Sequence, residues 1–114
     1  MAEECLFCHM CQRRVPSVGV YEDAEVFAFR DIRPQAPVHI VVVPKQHIAR
    51  VSELDAATAP VMGRLILAAN QIAKQQGLEQ GYRLVVNCGR DGGQTVFHLH
   101  VHLLGGRPMT WPPG

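Results

Sequence analysis

Three histidines, His98, His100 and His102, alternate with apolar residues near the end of the chain. Side chains point alternately to the two faces of a β-strand, so a strand here would place the three imidazoles on one face, roughly 6.6–7 Å apart. The opposite face would be an apolar core stripe formed by Phe97, Leu99, Val101 and Leu103. Strict alternation of three of the chain's six histidines indicates a chemical site rather than a solvent-exposed polar face.

Two kinds of chemistry fit such a row of imidazoles. Two of them, with a third ligand from elsewhere, can hold a catalytic zinc ion that keeps one open position. Alternatively, one imidazole is a nucleophile, and its neighbours orient it or move protons. The preceding loop Gly92-Gly93-Gln94-Thr95 offers backbone N–H groups and a hydroxyl, and such a nest suits phosphate oxygens. The loop and the histidines together indicate chemistry at a phosphate group, although the spacing alone leaves both mechanisms open.

The four cysteines are Cys5, Cys8, Cys11 and Cys88, and the first two form a Cys-x-x-Cys pair. The acidic start Met1–Glu4 is followed by no apolar run, so we expect no secretory signal and a cytoplasmic location. Cysteines in that compartment are reduced or metal-bound. The pair is therefore a zinc site, a redox pair or two buried thiols. His9 and Cys11 are nearby alternative ligands, and Cys88 is expected to be a buried thiol in an apolar strand.

Length and composition predict one compact domain over residues 1–114, because 47% of the residues are hydrophobic. A net charge of only +1 argues against a broad electrostatic grip on DNA or RNA. The longest apolar run, Ile40–Val43, is far too short to cross a bilayer. We therefore expect neither a nucleic-acid partner nor a membrane partner, while a local site for one anion remains possible.

A long helix is predicted over Ala59–Gln76, where apolar residues recur every three or four positions. Thr58 can cap its start, Pro60 suits its first turn, and Gly77 can end it in a left-handed conformation. The predicted extended segments are two short pieces within Val20–Arg30, then His39–Pro44, Tyr82–Cys88 and Thr95–Leu104. Strands without regular βαβ alternation indicate an α+β fold with a mainly antiparallel sheet.

The segment from His98 to Leu104 matches the histidine-triad pattern His-φ-His-φ-His-φ-φ, where φ is apolar. Further segments resemble the nucleotide-binding branch of the histidine-triad (HIT) superfamily: Asp31–His39, Pro44–Ile48, Gly81–Arg83, Asp91–Gln94, Gly105–Arg107 and Trp111–Gly114. The resemblance covers nearly the whole chain, from Phe7 to Gly114. It implies a HIT-like fold with a five-stranded antiparallel sheet, one long helix and a short one, and a two-fold homodimer with a ten-stranded sheet.

The resemblance also implies an activity, namely hydrolysis of phosphoramidate or acyl-phosphate bonds to AMP, with purine mononucleotides of the AMP or GMP type as ligands. His100 would be the nucleophile that forms a nucleotidyl intermediate, and His102 would contact the phosphate. Thr95 and the N–H groups near Val96 would hold phosphate oxygens and help to protonate the leaving amine. Two alternatives are a nucleotide-binding scaffold protein with incidental chemistry and a zinc hydrolase built on the triad.

The remaining roles are likewise implied by the resemblance. The phosphate side would be lined by Asn87, Gly93 and Gln94. Asp31 would accept hydrogen bonds from the ribose, and the base would lie among Phe7, Phe29 and Ile32. Trp111, in a proline-rich tail, would reach the nucleotide pocket of the partner subunit.

Zinc is implied by a variant of this family that carries Cys-x-x-Cys near the start of the chain. The ligands would then be Cys5, Cys8, His47 and the first triad histidine, His98. A Cys₂His₂ set forms a closed tetrahedral site, so the expected cofactor is one structural Zn²⁺ per chain.

Overall fold

The computed structural model describes residues 5–114. Five strands form one sheet, and one helix packs on each of its two faces. The acidic segment Met1–Glu4, on which the prediction about a secretory signal depends, lies outside the described residues. The elements are α1 (Leu6–Cys11), β1 (Gly19–Glu22), β2 (Val26–Arg30), β3 (Val38–Pro44), a 3₁₀ turn (Val51–Glu53), α2 (Ala59–Gln75), β4 (Tyr82–Val85) and β5 (Val101–Gly105).

The strands lie in the order β1-β2-β3-β5-β4, and every neighbouring pair is antiparallel. The predicted five-stranded antiparallel sheet with one long helix and one short helix is therefore confirmed. β3 is the central strand, and its residues from His39 to Pro44 are all buried. β4 lies at one edge of the sheet, and no strand among residues 5–114 pairs with its outer side.

The two faces of β2 belong to two separate cores, because its side chains alternate across the sheet. Val26 and Ala28 pack with α2 in the larger core. Phe27 and Phe29 face the opposite side and pack with α1. Both faces of the central sheet are thus covered, and the shorter helix α1 closes the face on which the aromatic residues lie.

The helix α2 begins where the periodicity predicts and ends one residue earlier, at Gln75. Pro60 lies in its first turn, and Gly77 follows it with φ +74°, as predicted. The predicted cap was wrong: Thr58 has helical backbone angles and makes no capping hydrogen bond. Its hydroxyl instead donates to the Asp55 carboxylate at 3.0 Å, because Asp55 organises the turn before the helix. Among the described residues, no helix is long and apolar enough to cross a membrane.

The last strand is shorter than predicted, since β5 begins at Val101 and not at Thr95. The β3–β5 register ends at Val42 and Val101, and Pro44 would come opposite Leu99. Proline has no backbone N–H, so the ladder cannot continue there. The Leu99 N–H donates instead to the Ile48 carbonyl at 2.6 Å. The histidine segment therefore turns away from the sheet before β5 begins.

This turn changes the side-chain pattern that alternation predicted. Leu99, Val101 and Leu103 are buried as predicted, but Phe97 is 42% exposed and does not belong to the core. His98 and His100 precede the strand, and only His102 lies on it. The predicted strand Tyr82–Cys88 also ends early, at Val85, because its antiparallel partner β5 begins only at Val101, one residue before the His102 that pairs with Val85. Cys88 is consequently only half-buried rather than a fully buried thiol.

Candidate functional site

His98 is fully buried, and its two ring nitrogens have distinct partners. Nε2 lies 2.7 Å from the Pro44 carbonyl oxygen, which can only accept, so Nε2 carries the proton and donates it. Burial lowers the pKa of His98 to about 4, which keeps the ring neutral near pH 7. Nδ1 is therefore an unprotonated nitrogen, directed towards the cysteines of α1 and available as a metal ligand.

A cluster of four side chains surrounds this nitrogen, and we call Cys5, Cys8, His47 and His98 the zinc cluster. Their donor atoms all lie within 4.8 Å of one another. His98 Nδ1 is 3.2 Å from Cys5 Sγ, 3.4 Å from Cys8 Sγ and 3.2 Å from His47 Nδ1, and Cys8 Sγ is 3.3 Å from His47 Nδ1. Tetrahedral zinc with bonds of 2.0–2.3 Å would separate its ligands by roughly 3.3–3.8 Å. The four residues suit a zinc ion in both donor type and spacing.

The first turn of α1 positions the two thiols of this cluster. Cys5 caps the helix, and the Cys8 N–H donates to Cys5 Sγ at 3.3 Å. Burial, reinforced by the neighbouring Cys5, raises the pKa of Cys8 to about 12. A bound cation reverses that preference, because a metal-coordinating thiol is deprotonated. No disulfide joins Cys5 and Cys8 in the structure. Neither His9 nor Cys11 belongs to the clusters found among residues 5–114.

His100 is also buried, and its orientation leaves one nitrogen free for attack. Nδ1 lies 2.7 Å from the His98 carbonyl oxygen and must donate to it. The unprotonated nitrogen of the neutral ring is then Nε2. Burial lowers the pKa of His100, so the neutral, nucleophilic form prevails near pH 7. The ring of Phe7 stands perpendicular to the His100 ring, with centroids 5.1 Å apart.

His39 is a site residue that the sequence analysis missed. Its Nδ1 accepts the backbone N–H of Gln35 at 3.0 Å, so its proton is on Nε2. Nε2 lies 2.9 Å from Nδ1 of His102 and donates to it, which leaves the His102 proton on Nε2. Burial and the nearby imidazoles lower the pKa of His102 to about 4. A signal for His39 was available: it is the one polar residue in the otherwise apolar strand β3.

Asp31 adjoins this histidine pair. One carboxylate oxygen accepts the Arg33 N–H at 2.8 Å, and the other lies 3.5 Å from Nε2 of His39. The donor atoms of Asp31, His39 and His102 are close enough for a metal. A metal would nevertheless displace the proton from His39 Nε2 while Nδ1 still faces an N–H donor, which a neutral imidazole cannot satisfy. The group suits proton transfer rather than metal binding.

The three triad histidines have three different environments. His98 faces the zinc cluster, His100 is tied to the main chain, and His102 pairs with His39. Among the described residues they do not form one metal-binding group. The tautomers assigned by their hydrogen bonds support the nucleophile interpretation over a zinc hydrolase built on the triad.

The loop before the histidines is held by one buried side chain. Gln94 accepts the Gly89 N–H at 2.9 Å and donates to the Ala49 carbonyl at 2.8 Å and to the Val96 carbonyl at 3.1 Å. Its side chain is therefore occupied in bracing the loop, and its backbone N–H also donates within the loop, to the Gly89 carbonyl. The side chain of Gln94 thus shapes the loop, and its role as a nucleotide contact stays a prediction. A Cβ at Gly92 would lie 2.4 Å from the Cys88 carbonyl oxygen, so this tight turn requires glycine.

The structure places the other predicted site residues in two groups. Phe7 and Phe29 are buried with ring centroids 5.3 Å apart, on the His100 side. Exposed or half-buried at the surface are Ile32, Asn87, Gly93, Thr95 and Val96. Trp111 is 82% exposed and lines a groove of about 1240 Å³ beside β4, whose lining includes no triad histidine. Trp111 therefore stands apart from the histidines of its own chain.

The fold and this site define a histidine-triad protein. Residues 12–109 match the HIT domain, and the chain belongs to the HIT domain family. It is 53% identical over all 114 residues to an uncharacterized HIT-like protein of Synechococcus elongatus, covering 100% of both chains. It is 48% identical over 111 residues to the 14 kDa zinc-binding protein of Zea mays, covering 96% of this chain and 87% of that protein.

Solved structures are similar over the same length. A HIT family hydrolase from Legionella pneumophila superposes with a TM-score of 0.95 at 48% identity, covering 97% of this chain and 100% of that one. A histidine triad nucleotide-binding protein from Candida albicans superposes with a TM-score of 0.82 at 27% identity, covering 96% of this chain and 83% of that one. The predicted family and fold are therefore confirmed.

Proposed function

We propose that this protein is a purine nucleoside phosphoramidase, which hydrolyses bonds between AMP and an amine, or acyl-AMP bonds. The observation that carries the proposal is the orientation of His100, whose Nδ1 donates to the His98 carbonyl at 2.7 Å and so leaves Nε2 unprotonated. A neutral imidazole fixed in this way is a nucleophile near pH 7, needing no separate base. The similarity to a structure named as a HIT family hydrolase supports the same reaction class.

The reaction proceeds in two displacements at phosphorus. Nε2 of His100 forms a bond to the phosphorus while the bond to the leaving nitrogen breaks, and that nitrogen takes up a proton. Water then attacks the nucleotidyl-histidine and returns a proton to Nε2 of His102, the N–P bond breaks, and AMP leaves with both His100 and His102 restored. Nε2 of His102 carries the proton that the leaving group needs, because Nδ1 of that ring is held by His39 at 2.9 Å. The Thr95 hydroxyl is a second donor beside the loop.

The phosphate site is the turn that Gln94 braces. Glycine backbone allows the chain to come close to an anion, and Gly93 has φ +85°. We propose that Asn87, Gly93, Thr95 and the Val96 N–H hold the phosphate oxygens. Phe29 and Ile32 would contact the purine, and the free edge of Asp31 would accept the ribose hydroxyls. The Candida albicans neighbour is named a nucleotide-binding protein, which supports a nucleotide ligand.

We also propose that one zinc ion is held by Cys5, Cys8, His47 and His98 as a structural cofactor. The zinc cluster has the spacing of a closed tetrahedral site, and the Zea mays relative is named a zinc-binding protein. Bound zinc would join the start of α1 to the segments that carry His47 and His98, and it would take no part in the displacement. A cysteine pair that binds zinc, together with the free thiols Cys11 and Cys88, fits a reducing cytoplasm.

The edge strand β4 supports the proposed homodimer. An edge strand is a template for pairing with another chain, and Trp111 is a large aromatic side chain left in solvent beside it. The tail is tied to its own chain just before this residue, by a hydrogen bond of 2.8 Å from Arg83 to the Thr110 carbonyl. A second copy docked at β4 would cover Trp111 and place it near the partner's nucleotide.

Brief exposure to an AMP phosphoramidate followed by mass spectrometry tests the proposal. The wild-type protein should carry a nucleotidyl adduct on His100. His100→Ala should lose both the adduct and turnover but keep measurable AMP binding, whereas His9→Ala, a histidine outside the site, should retain both. Full turnover by His100→Ala would refute the mechanism. Binding of AMP with neither adduct nor turnover in the wild-type protein would favour the alternative, a nucleotide-binding scaffold protein.

A further inference from the structure

We infer that zinc occupancy sets the affinity for the nucleotide through Phe7, so that the zinc cluster and the nucleotide pocket are thermodynamically coupled. This inference rests on the proposed nucleotide site. It assigns Phe7 as a positioning residue, because Phe7 lies between the proposed zinc ligands Cys5 and Cys8 in the chain and its ring contacts the nucleophile.

The helix α1 depends on the zinc cluster for its position. It has only six residues, Leu6–Cys11, and a helix this short is not stable by itself in water. Two thiols at its start belong to the zinc cluster: Cys5 is the residue that caps the helix, and Cys8 lies one turn later. Phe7 lies between them in the sequence. Whatever fixes these two thiols therefore also fixes the backbone of Phe7.

The ring of Phe7 contacts both sites. Its centroid lies 6.0 Å from that of the zinc-cluster residue His98 and 5.1 Å from that of His100. Its centroid also lies 5.3 Å from that of Phe29. All three contacts are edge-to-face, the favourable arrangement for aromatic pairs. Phe7 is only 7% exposed, so its ring fills the space between the rings of His100 and Phe29.

A second connection runs through the main chain at His98. The ring of this residue faces the zinc cluster, while its carbonyl oxygen holds Nδ1 of His100 at 2.7 Å. The ring and the carbonyl group belong to one residue, so a shift of the His98 backbone moves both. Zinc therefore acts on His100 from two directions, through the Phe7 ring and through the His98 carbonyl.

Loss of zinc removes the bonds that hold α1 and releases Phe7 from the His100 ring. The nucleotide then binds to a pocket in which the Phe7 ring no longer supports His100. Coupling of binding free energies is reciprocal, so AMP must raise the affinity for zinc by the same factor by which zinc raises the affinity for AMP. An edge-to-face aromatic pair contributes a few-fold to about tenfold in an equilibrium constant, so we expect coupling of about tenfold.

The experiment measures zinc affinity of the full-length protein by competition with a chromogenic chelator, with and without saturating AMP. AMP should raise the zinc affinity of the wild-type protein about tenfold. Phe7→Ala should keep about one zinc per chain but lose most of this increase, and its AMP affinity should fall when zinc is bound. The control is Leu6→Ala, an adjacent residue of α1 whose side chain is 44% exposed, and it should retain the full increase.

Phe7→Leu is a second variant for the case in which α1 does not form in Phe7→Ala. It keeps apolar volume at this position but removes the aromatic ring. It should show a reduced increase in zinc affinity. The same zinc affinity with and without AMP in the wild-type protein, or full coupling in both Phe7 variants, overturns the inference even if AMP binds well. A zinc-loaded wild-type protein that does not bind AMP at all instead overturns the proposed nucleotide site.

Discussion

Replacing His39 tests whether the proton on His102 is placed by its neighbour. The hydrogen bond between them is 2.9 Å long, and the His39 side chain is nearly buried. His39→Phe removes the donor and leaves Nδ1 of His102 without a partner. His102 can then place its proton on either nitrogen, and only one of the two tautomers can donate to a leaving group.

The expected loss follows from the cost of leaving one buried partner unsatisfied, which is about 1–3 kcal/mol. At 1.36 kcal/mol per tenfold change in rate, this corresponds to a fall of about 5-fold to about 150-fold in kcat. The fall should affect kcat more than KM, because the proton is needed when the P–N bond breaks rather than when the nucleotide binds.

Steady-state hydrolysis of two AMP derivatives measures this effect. A phosphoramidate of a basic amine needs a proton on its leaving nitrogen, and an acyl-AMP does not. His39→Phe should therefore slow the first substrate much more than the second. His39→Gln can still offer an amide N–H to His102 and should recover part of the rate. Equal losses on both substrates, or unchanged kcat on the phosphoramidate, would show that His39 does not control this proton.

Three further predictions concern the loop, the pH response and the tail. Gly92→Ala places a Cβ 2.4 Å from the Cys88 carbonyl oxygen, so it should weaken AMP binding at least about tenfold by calorimetry, and unchanged binding would contradict the loop assignment. Burial lowers the pKa of the nucleophile His100, as it does those of His102 and His39, so kcat should stay flat from pH 7 to about 6.5 and fall only below that ordinary imidazole pKa, when His100 itself becomes protonated. The unfolded chain takes up these protons first, near its ordinary pKa of about 6.5, so stability in urea should decrease as pH falls below that value; a rate that halves near 6.5 would refute the burial argument. Deleting Trp111–Gly114 should change leaving-group selectivity while leaving reactivity at phosphorus intact, and a monomer in sedimentation at micromolar concentration would exclude a shared site.

Local sequence was sufficient wherever the structural signal was itself local. The apolar period of α2, Pro60 in its first turn and the left-handed Gly77 follow from neighbouring residues, and the structure has all three. The alternation of Val26 and Ala28 with Phe27 and Phe29 likewise indicates the two faces of β2 that the structure has. The cysteine pair and the triad were also visible, because their meaning depends on residue type and short spacing.

Tertiary structure decided how the triad is used. Alternation predicts three imidazoles on one strand face, but Pro44 cannot extend the ladder opposite Leu99, so the chain turns before β5. The turn separates the histidines by partner, and each partner is distant in sequence: the zinc cluster for His98 and His39 for His102. Hydrogen bonds to the main-chain oxygens of Pro44 and His98 then fix which nitrogen is free in the rings of His98 and His100, respectively. The sequence therefore determines which residue types are available for the site. The tautomer and role of each imidazole depend on which distant donor or acceptor the fold brings within hydrogen-bonding distance.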